Sequence, residues 1–250
     1  MKARHLAVLS VALLFAAPGF AQTNESTAVS VNTAAVAEER SAPGTGWYKR
    51  HEEFVQIAKQ GGVDILFLGD SITDFWRSRG SNVWNQCYAS RHAANFGISG
   101  DRTQHLLWRM DNGELDGIKP KVVVLMIGTN NTGKEKDGKP RNSVPETVAG
   151  VEAVVQDIRT RLPDSKILLL GVFPRGTFDD PQRAQVALVN TVIAKLDDGK
   201  MIKYLDIGPE FLELDGTLPK SIMPDLLHPN ERGYEIWAKA MEPTLAEMLK

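Results

Sequence analysis

Cysteine is almost absent from this 250-residue chain: Cys87 stands alone. No internal disulfide is possible, so the fold must hold through its core. Metal-ligand spacing is missing too. No His/Cys cluster and no Asp-rich loop occurs, so no bound metal is expected, and no other cofactor either. Neither sign of charge dominates, since 29 Lys and Arg against 31 Asp and Glu leave a formal net charge of −2. That balance offers no electrostatic footprint for nucleic acid, and no basic amphipathic helix points to a membrane surface. The apolar run at residues 6–17 is too short to span a bilayer.

That run fits an export signal instead. Lys2, Arg4 and His5 form a basic n-region before it, and Gly19-Phe20-Ala21 a small-x-small cleavage site after it. Residues 1–21 are therefore expected to be removed on export to the periplasm or the medium, leaving no integral membrane segment. Losing Lys2 and Arg4, with no acid in the same segment, takes the formal charge from −2 to about −4. Residues 22–46 are rich in Ala, Thr, Ser and Val and nearly free of large apolar side chains. Too little burial is on offer there to offset chain ordering, so a flexible linker is expected. Residues 47–250 suit one domain with a full core.

Within that domain, apolar runs at 63–68, 122–127, 167–172 and 202–207 read as strands, with a weaker one at 93–96 nearer a sheet edge. Helical patterns alternate with them. Residues 47–59 end at Gly61-Gly62, and 103–112 carry Leu106, Leu107 and Met110. Ser143-x-x-Glu146 is a capping box ahead of Val148, Val151, Val155, Ile158 and Leu162. Asp180-Pro181 caps another helix, and a last one runs from about Asn230, with Pro243 expected to kink or divide it. This alternation predicts an α/β fold, an open sheet of about five parallel strands with helices on both faces. Sites in such sheets lie outside the carboxyl ends of the strands.

Chemically suggestive residues cluster just there. Gly69-Asp70-Ser71 follows the first strand, Gly97-Ile98-Ser99-Gly100-Asp101 the weak second, and Gly128-Thr129-Asn130-Asn131 the third. Asp225-Leu226-Leu227-His228 precedes the last helix. Acyl transfer from an ester needs these residue types. A serine hydroxyl attacks only if a base takes its proton; His228 can accept that proton and return it to the leaving alkoxide. Asp225 can fix the imidazole tautomer. The backbone N–H of Ser71, the backbone N–H of Gly100 and the side-chain amide of Asn130 can donate to the developing oxyanion. A helix starting at Ser71 would add its dipole.

Together these blocks resemble the four signature blocks of the SGNH (GDSL-type) hydrolase family, in the right order and across nearly the whole predicted domain. The stretch from Asn95 through His105-Leu106-Leu107-Trp108-Arg109 and Asn112-Gly113-Glu114-Leu115 to Asn131 is especially similar to the catalytic subunits of intracellular platelet-activating factor acetylhydrolase. The resemblance implies a flavodoxin-like three-layer α/β/α sandwich and a metal-independent serine esterase. Ser71, Asp225 and His228 would be its triad, and Ser71, Gly100 and Asn130 its oxyanion hole. The first block has Ile72 where the family name expects leucine, and Arg102 is bulky and charged at the expected pocket lip.

Other residues read as structural. Asp70 braces the turn; His51 and His92 lack chemical company; His105, in an apolar helix, is a packed or surface histidine; Asn131 caps a loop; Trp76, Trp84 and Trp108 form core or pocket wall; Cys87 is a buried small hydrophobe. Residues 132–142 read as a solvated loop, or more sharply as a rim touching an acidic or polyhydroxylated substrate, and residues 175–180 as a second wall. The expected activity is removal of short acyl groups, acetyl foremost, from a small-molecule or carbohydrate ester. A lysophospholipase, thioesterase or phospholipid acetylhydrolase is the alternative, and a non-catalytic ligand-binding module the third. A flavodoxin-type nucleotide binder fits least, because the turn after the first strand is too short to cradle phosphate.

Overall fold

The structure, a computed structural model, describes residues 32–250. The expected signal peptide and the first part of the linker lie outside the described residues. Seven helices and five strands follow in order: α1 (Gly46–Gln60), β1 (Ile65–Gly69), α2 (Ser71–Asp74), α3 (Ser81–Cys87), β2 (Ala93–Gly97), α4 (Thr103–Asp111), β3 (Val122–Met126), α5 (Val144–Arg161), β4 (Lys166–Leu170), α6 (Pro181–Ile193), β5 (Ile202–Leu205) and α7 (Glu231–Met248).

All strand pairs are parallel and the spatial order is β2-β1-β3-β4-β5. This is the flavodoxin-like order, with helices on both faces. The central β1 and β3 are buried at every position, which is why their sequences are apolar on both alternating faces. The weaker β2 is an edge strand, as its mixed composition predicts. On one face Leu66, Leu68, Val123, Leu125 and Ile167 pack with α1, α4, α5 and α6. On the other, Phe67, Val124, Met126 and Leu168 meet Trp76 and α7, through Tyr234, Trp237 and Met241. Among the described residues no helix is long and apolar enough to cross a membrane.

Capping proceeds as the sequence indicates. The Ser143 hydroxyl accepts from the Glu146 N–H while Glu146 accepts from the Ser143 N–H. Asp180 accepts from the Gln182 N–H, with Pro181 opening α6. Three expectations change. The last helix continues as one element through Pro243 and is not divided there. Cys87 is half-buried rather than buried.

The third change concerns the linker, which from Asn32 onward packs on the domain. Ala34 is fully buried, its carbonyl accepts from the Thr103 hydroxyl at 2.7 Å, and the Glu38 N–H donates to the Gln104 carbonyl at 3.0 Å. A Cβ on Gly150 of α5 would sit 2.7 Å from that Ala34 carbonyl, so glycine there lets the arm approach. The arm is held by hydrogen bonds and close approach of small groups, neither of which needs the large apolar side chains that the segment lacks.

Candidate active site

Strand register builds the site. Gly69, the last residue of β1, lies opposite Gly97 of β2 on one side and Met126 of β3 on the other. The chain leaving each strand therefore enters neighbouring turns, which carry Ser71, Gly100 and Asn130. Asp225 and His228 arrive from the segment before α7.

Ser71 is the first residue of α2 and is 6% exposed. Asp70 caps it, accepting from the Ile72 N–H at 3.0 Å, which is the bracing role expected of that aspartate. Burial pushes the Asp70 carboxyl up to about 7, the Ile72 N–H opposing. The helix is a single turn continued by a 3-10 turn, so the dipole expected of a full helix is largely absent. What remains is the Ser71 N–H, which as a first-turn donor has no intrahelical acceptor.

The Ser71 Oγ lies 2.9 Å from His228 Nε2, and His228 Nδ1 lies 2.8 Å from Asp225 Oδ2. The other carboxylate oxygen, Oδ1, accepts from the backbone N–H groups of His228 at 2.7 Å and Leu227 at 3.1 Å. Partial burial raises the Asp225 pKa, but the His228 N–H and imidazole outweigh it and hold the carboxylate at about 2. An ionised Asp225 can only accept, so His228 Nδ1 carries the proton and Nε2 faces the serine. Between the two, Leu226 sits at φ 56, a left-handed conformation that costs a leucine roughly 1–2 kcal/mol. Its carbonyl accepts from the Gly176 N–H at 2.8 Å, one of the bonds that hold it there.

The Gly100 turn is fixed from several sides. Gly100 has φ +83, and a Cβ there would meet the Arg40 guanidinium at 2.6 Å. Arg40 donates to the Ser99 carbonyl at 2.5 Å, and Asp74 of α2 accepts from the Ser99 N–H and hydroxyl. Asn130 Nδ2 donates to the Asp101 carbonyl at 2.9 Å. An amide nitrogen carries two hydrogens, so this bond orients the group and leaves one N–H for an oxyanion. Behind β3, Arg175 donates to the Thr129 carbonyl and hydroxyl.

Beneath these turns lies a fully buried guanidinium. Arg109 donates to the Phe96 carbonyl at 2.8 Å and to Glu114 at 2.7 Å, and its Nε is 2.9 Å from Asp101 Oδ2. Asp101 also accepts from the Trp47 indole at 2.7 Å. Burial pushes Glu114 up to about 8, Arg109 opposing, and raises Asp101 as well.

A serine bonded to a histidine, that histidine bonded to an aspartate, and amide donors on the neighbouring Gly100 and Asn130 turns suit acyl transfer, and the comparisons agree. Residues 67–236 match the sequence profile of the GDSL-like lipase/acylhydrolase family. The chain belongs to that family. It is 38% identical over 205 residues to rat platelet-activating factor acetylhydrolase IB subunit alpha2, covering 82% of this chain and 85% of that protein. The bovine alpha1 subunit is 35% identical over 204 residues, covering 81% and 84%. Solved structures share the fold. A GDSL-like lipase from Bacteroides thetaiotaomicron has TM-score 0.63 at 18% identity, covering 80% of this chain and 97% of that one. An acetylxylan esterase from Geobacillus stearothermophilus has TM-score 0.59 at 24% identity, covering 75% and 94%.

The acylhydrolase is a carboxylic ester hydrolase, and its fold is the one expected from the sequence. The structure brings Ser71, His228 and Asp225 into one bonded chain and ties Asn130 to the Gly100 turn. Asn131 is a knot among Thr103, Gln104 and Asn142. His51 is buried against Trp47 and Trp108, His92 pairs with Asp64, and His105 is buried with Nδ1 accepting from the Arg102 N–H. Sequence reasoning missed Arg40, Asp74 and Arg109 as supports of the acylhydrolase site.

Proposed function

We propose that this acylhydrolase is an exported serine esterase that removes short acyl groups, acetyl foremost, from hydroxylated carbohydrate. The observation carrying the reading is the unbroken contact from Ser71 Oγ through the His228 ring to Asp225. Ser71 Oγ attacks the ester carbonyl carbon as His228 Nε2 takes its proton. The negative oxygen is held by the N–H groups of Ser71 and Gly100 and the Asn130 amide. Collapse of this intermediate breaks the bond to the alkoxide, which leaves with the proton from His228. Water, deprotonated by the same imidazole, then cleaves the acyl-serine and restores the hydroxyl. Asp225 stays ionised throughout and stabilises the imidazolium. The signal at residues 1–21 supports export, and the acetylxylan esterase among the structural neighbours supports the substrate class by analogy of fold.

A second reading, a lipid-directed acetylhydrolase, is favoured by the platelet-activating factor acetylhydrolase relatives. Exposed Phe178 and Leu214, in loops after β4 and β5, also favour it. Kinetics on acetylated sugars, polysaccharides and lipids, with wild type and Ser71→Ala, separate the two. The carbohydrate reading requires the largest kcat/KM on acetylated sugars and a steep fall from acetyl to octanoyl esters. Highest activity on acetylated lipid, or a rise with chain length, replaces it with the lipid reading. Ser71→Ala as active as wild type rejects both.

A further inference from the structure

Beside the Gly100 and Asn130 donors opens a cavity of about 370 Å³, within the range of small-ligand sites. Its other walls are Glu38, Arg40, Arg102, His105 and Arg141. The walls come from three parts of the chain. The N-terminal arm supplies Glu38 and Arg40, the start of α4 supplies Arg102 and His105, and the end of the 132–142 loop supplies Arg141. That loop is a small hairpin closed by a bridge between Lys134 and Pro140. No large apolar side chain lines the cavity, so it does not suit an acyl tail.

The guanidiniums are fixed. Arg40 is tied to Ser99 and to Asp101, Arg102 pairs with Glu135 at 2.6 Å, and Arg141 donates to the Asn130 carbonyl at 2.9 Å. A guanidinium has five N–H donors, and these bonds use a minority of them. Charge around the cavity must be counted whole. Arg40, Arg102, Arg109 and Arg141 meet Glu38, Asp101, Glu114 and Glu135. Burial pushes Glu114 up to about 8, so at neutral pH the four cations face three carboxylates and one largely protonated acid. His105, lowered to about 3 by burial and then by Arg40, stays neutral.

We infer that this cavity is a subsite for an anionic group, a carboxylate or a phosphate, on the alcohol side of the ester, gripped by Arg40, Arg102 and Arg141. Planar guanidinium forks match both anions bidentately. A substrate whose carbonyl oxygen sits at Gly100 and Asn130 extends past them into this space, and a short acyl group cannot fill it. The inference rests on the esterase reading above and names what lies beyond the scissile bond.

The test compares ester pairs that differ only in charge: a mono-O-acetyl methyl glucuronoside against its methyl ester, and acetylglycerol phosphate against acetylglycerol. Wild type should show at least about a tenfold higher kcat/KM for the anionic member of one pair, the scale of one charge-assisted hydrogen bond. Arg102→Gln should bring that ratio close to one. Arg102 is chosen because, unlike Arg40 and Arg141, it has no side-chain bond to the turns bearing Gly100 and Asn130. A preference confined to the glucuronoside pair identifies a uronate carboxylate as the ligand, and one confined to the phosphate pair a phosphate group. Equal rates within both pairs, or a preference that survives Arg102→Gln, overturn the subsite while leaving esterase activity intact. Loss of Ser71-dependent turnover on all esters instead rejects the reading beneath it.

Discussion

The Asp74 carboxylate accepts from both the backbone N–H of Ser99, at 3.1 Å, and its hydroxyl, at 2.5 Å. The helix that begins at Ser71 thus also fixes the turn that carries Gly100. Asp74→Asn keeps the shape but weakens both bonds, so Gly100 should drift from the oxyanion. We expect kcat to fall about tenfold with KM little changed, a fraction of the 10²–10³-fold cost of losing a whole donor. A variant with reduced KM and unchanged kcat would place Asp74 outside oxyanion positioning.

Asn130 is held by its bond to the Asp101 carbonyl with one amide hydrogen to spare. Asn130→Ala should lower kcat about a hundredfold or more. Steady-state kinetics on an activated acetyl ester measures this, and an unaltered kcat removes Asn130 from the mechanism.

Asp225 is held at about 2, so its carboxylate is already ionised throughout the working range. The acid side of the kcat/KM profile should therefore show a single limb, with no second one from Asp225 above about pH 4. Asp225→Asn should cost about three to four orders of magnitude in kcat by releasing the tautomer. A pH–rate profile of wild type with two acidic limbs contradicts the assignment.

Burial raises Glu114 from 4.5 to about 8 and Asp70 from 3.8 to about 7. An acid whose folded pKa is raised adds stability below its unfolded value and loses it as pH climbs through the folded one. His51 and His105, lowered by burial from 6.5 to about 4 and about 3, act oppositely: their contribution is complete above 6.5 and declines in acid. The two sets offset each other between about pH 4.5 and 6.5, and only the acids still titrate from there to 8. Tm should therefore fall more steeply across the second interval than across the first. Glu114→Gln should flatten that fall; an equally steep decline in this variant assigns it elsewhere.

Arg109 joins the ends of β1 and β2 to Asp101 and Glu114 with no exposed surface. Arg109→Met fills the volume but strips the carboxyls and carbonyls of their donor. Urea unfolding should show a loss of about 3–5 kcal/mol, the scale for breaking a buried pair. A loss below about 1 kcal/mol would mean the carboxyls find other partners.

The candidate catalytic residues were legible because each follows a strand directly or, like Asp225 and His228, lies within one turn of its partner. Periodicity located β1, β3 and β4 because both their faces are buried. It found nothing at Ser81–Cys87, where Val83 is the buried apolar side chain and no stripe forms. The supports were hidden for another reason. Arg40 meets Ser99 across 59 positions and Asp74 meets it across 25, separations that no local pattern encodes. The docked arm escaped notice because small residues and carbonyls hold it, and these look the same in a tether.

That arm sets a practical limit on how the protein can be trimmed. A recombinant version begun at residue 47, where sequence alone would start the domain, discards the arginine that braces the Gly100 turn and uncovers the groove that Gly150 keeps open for Ala34. Such a shortened enzyme should fold around an intact sheet yet turn over slowly, and a weak result from it would misjudge the native catalyst.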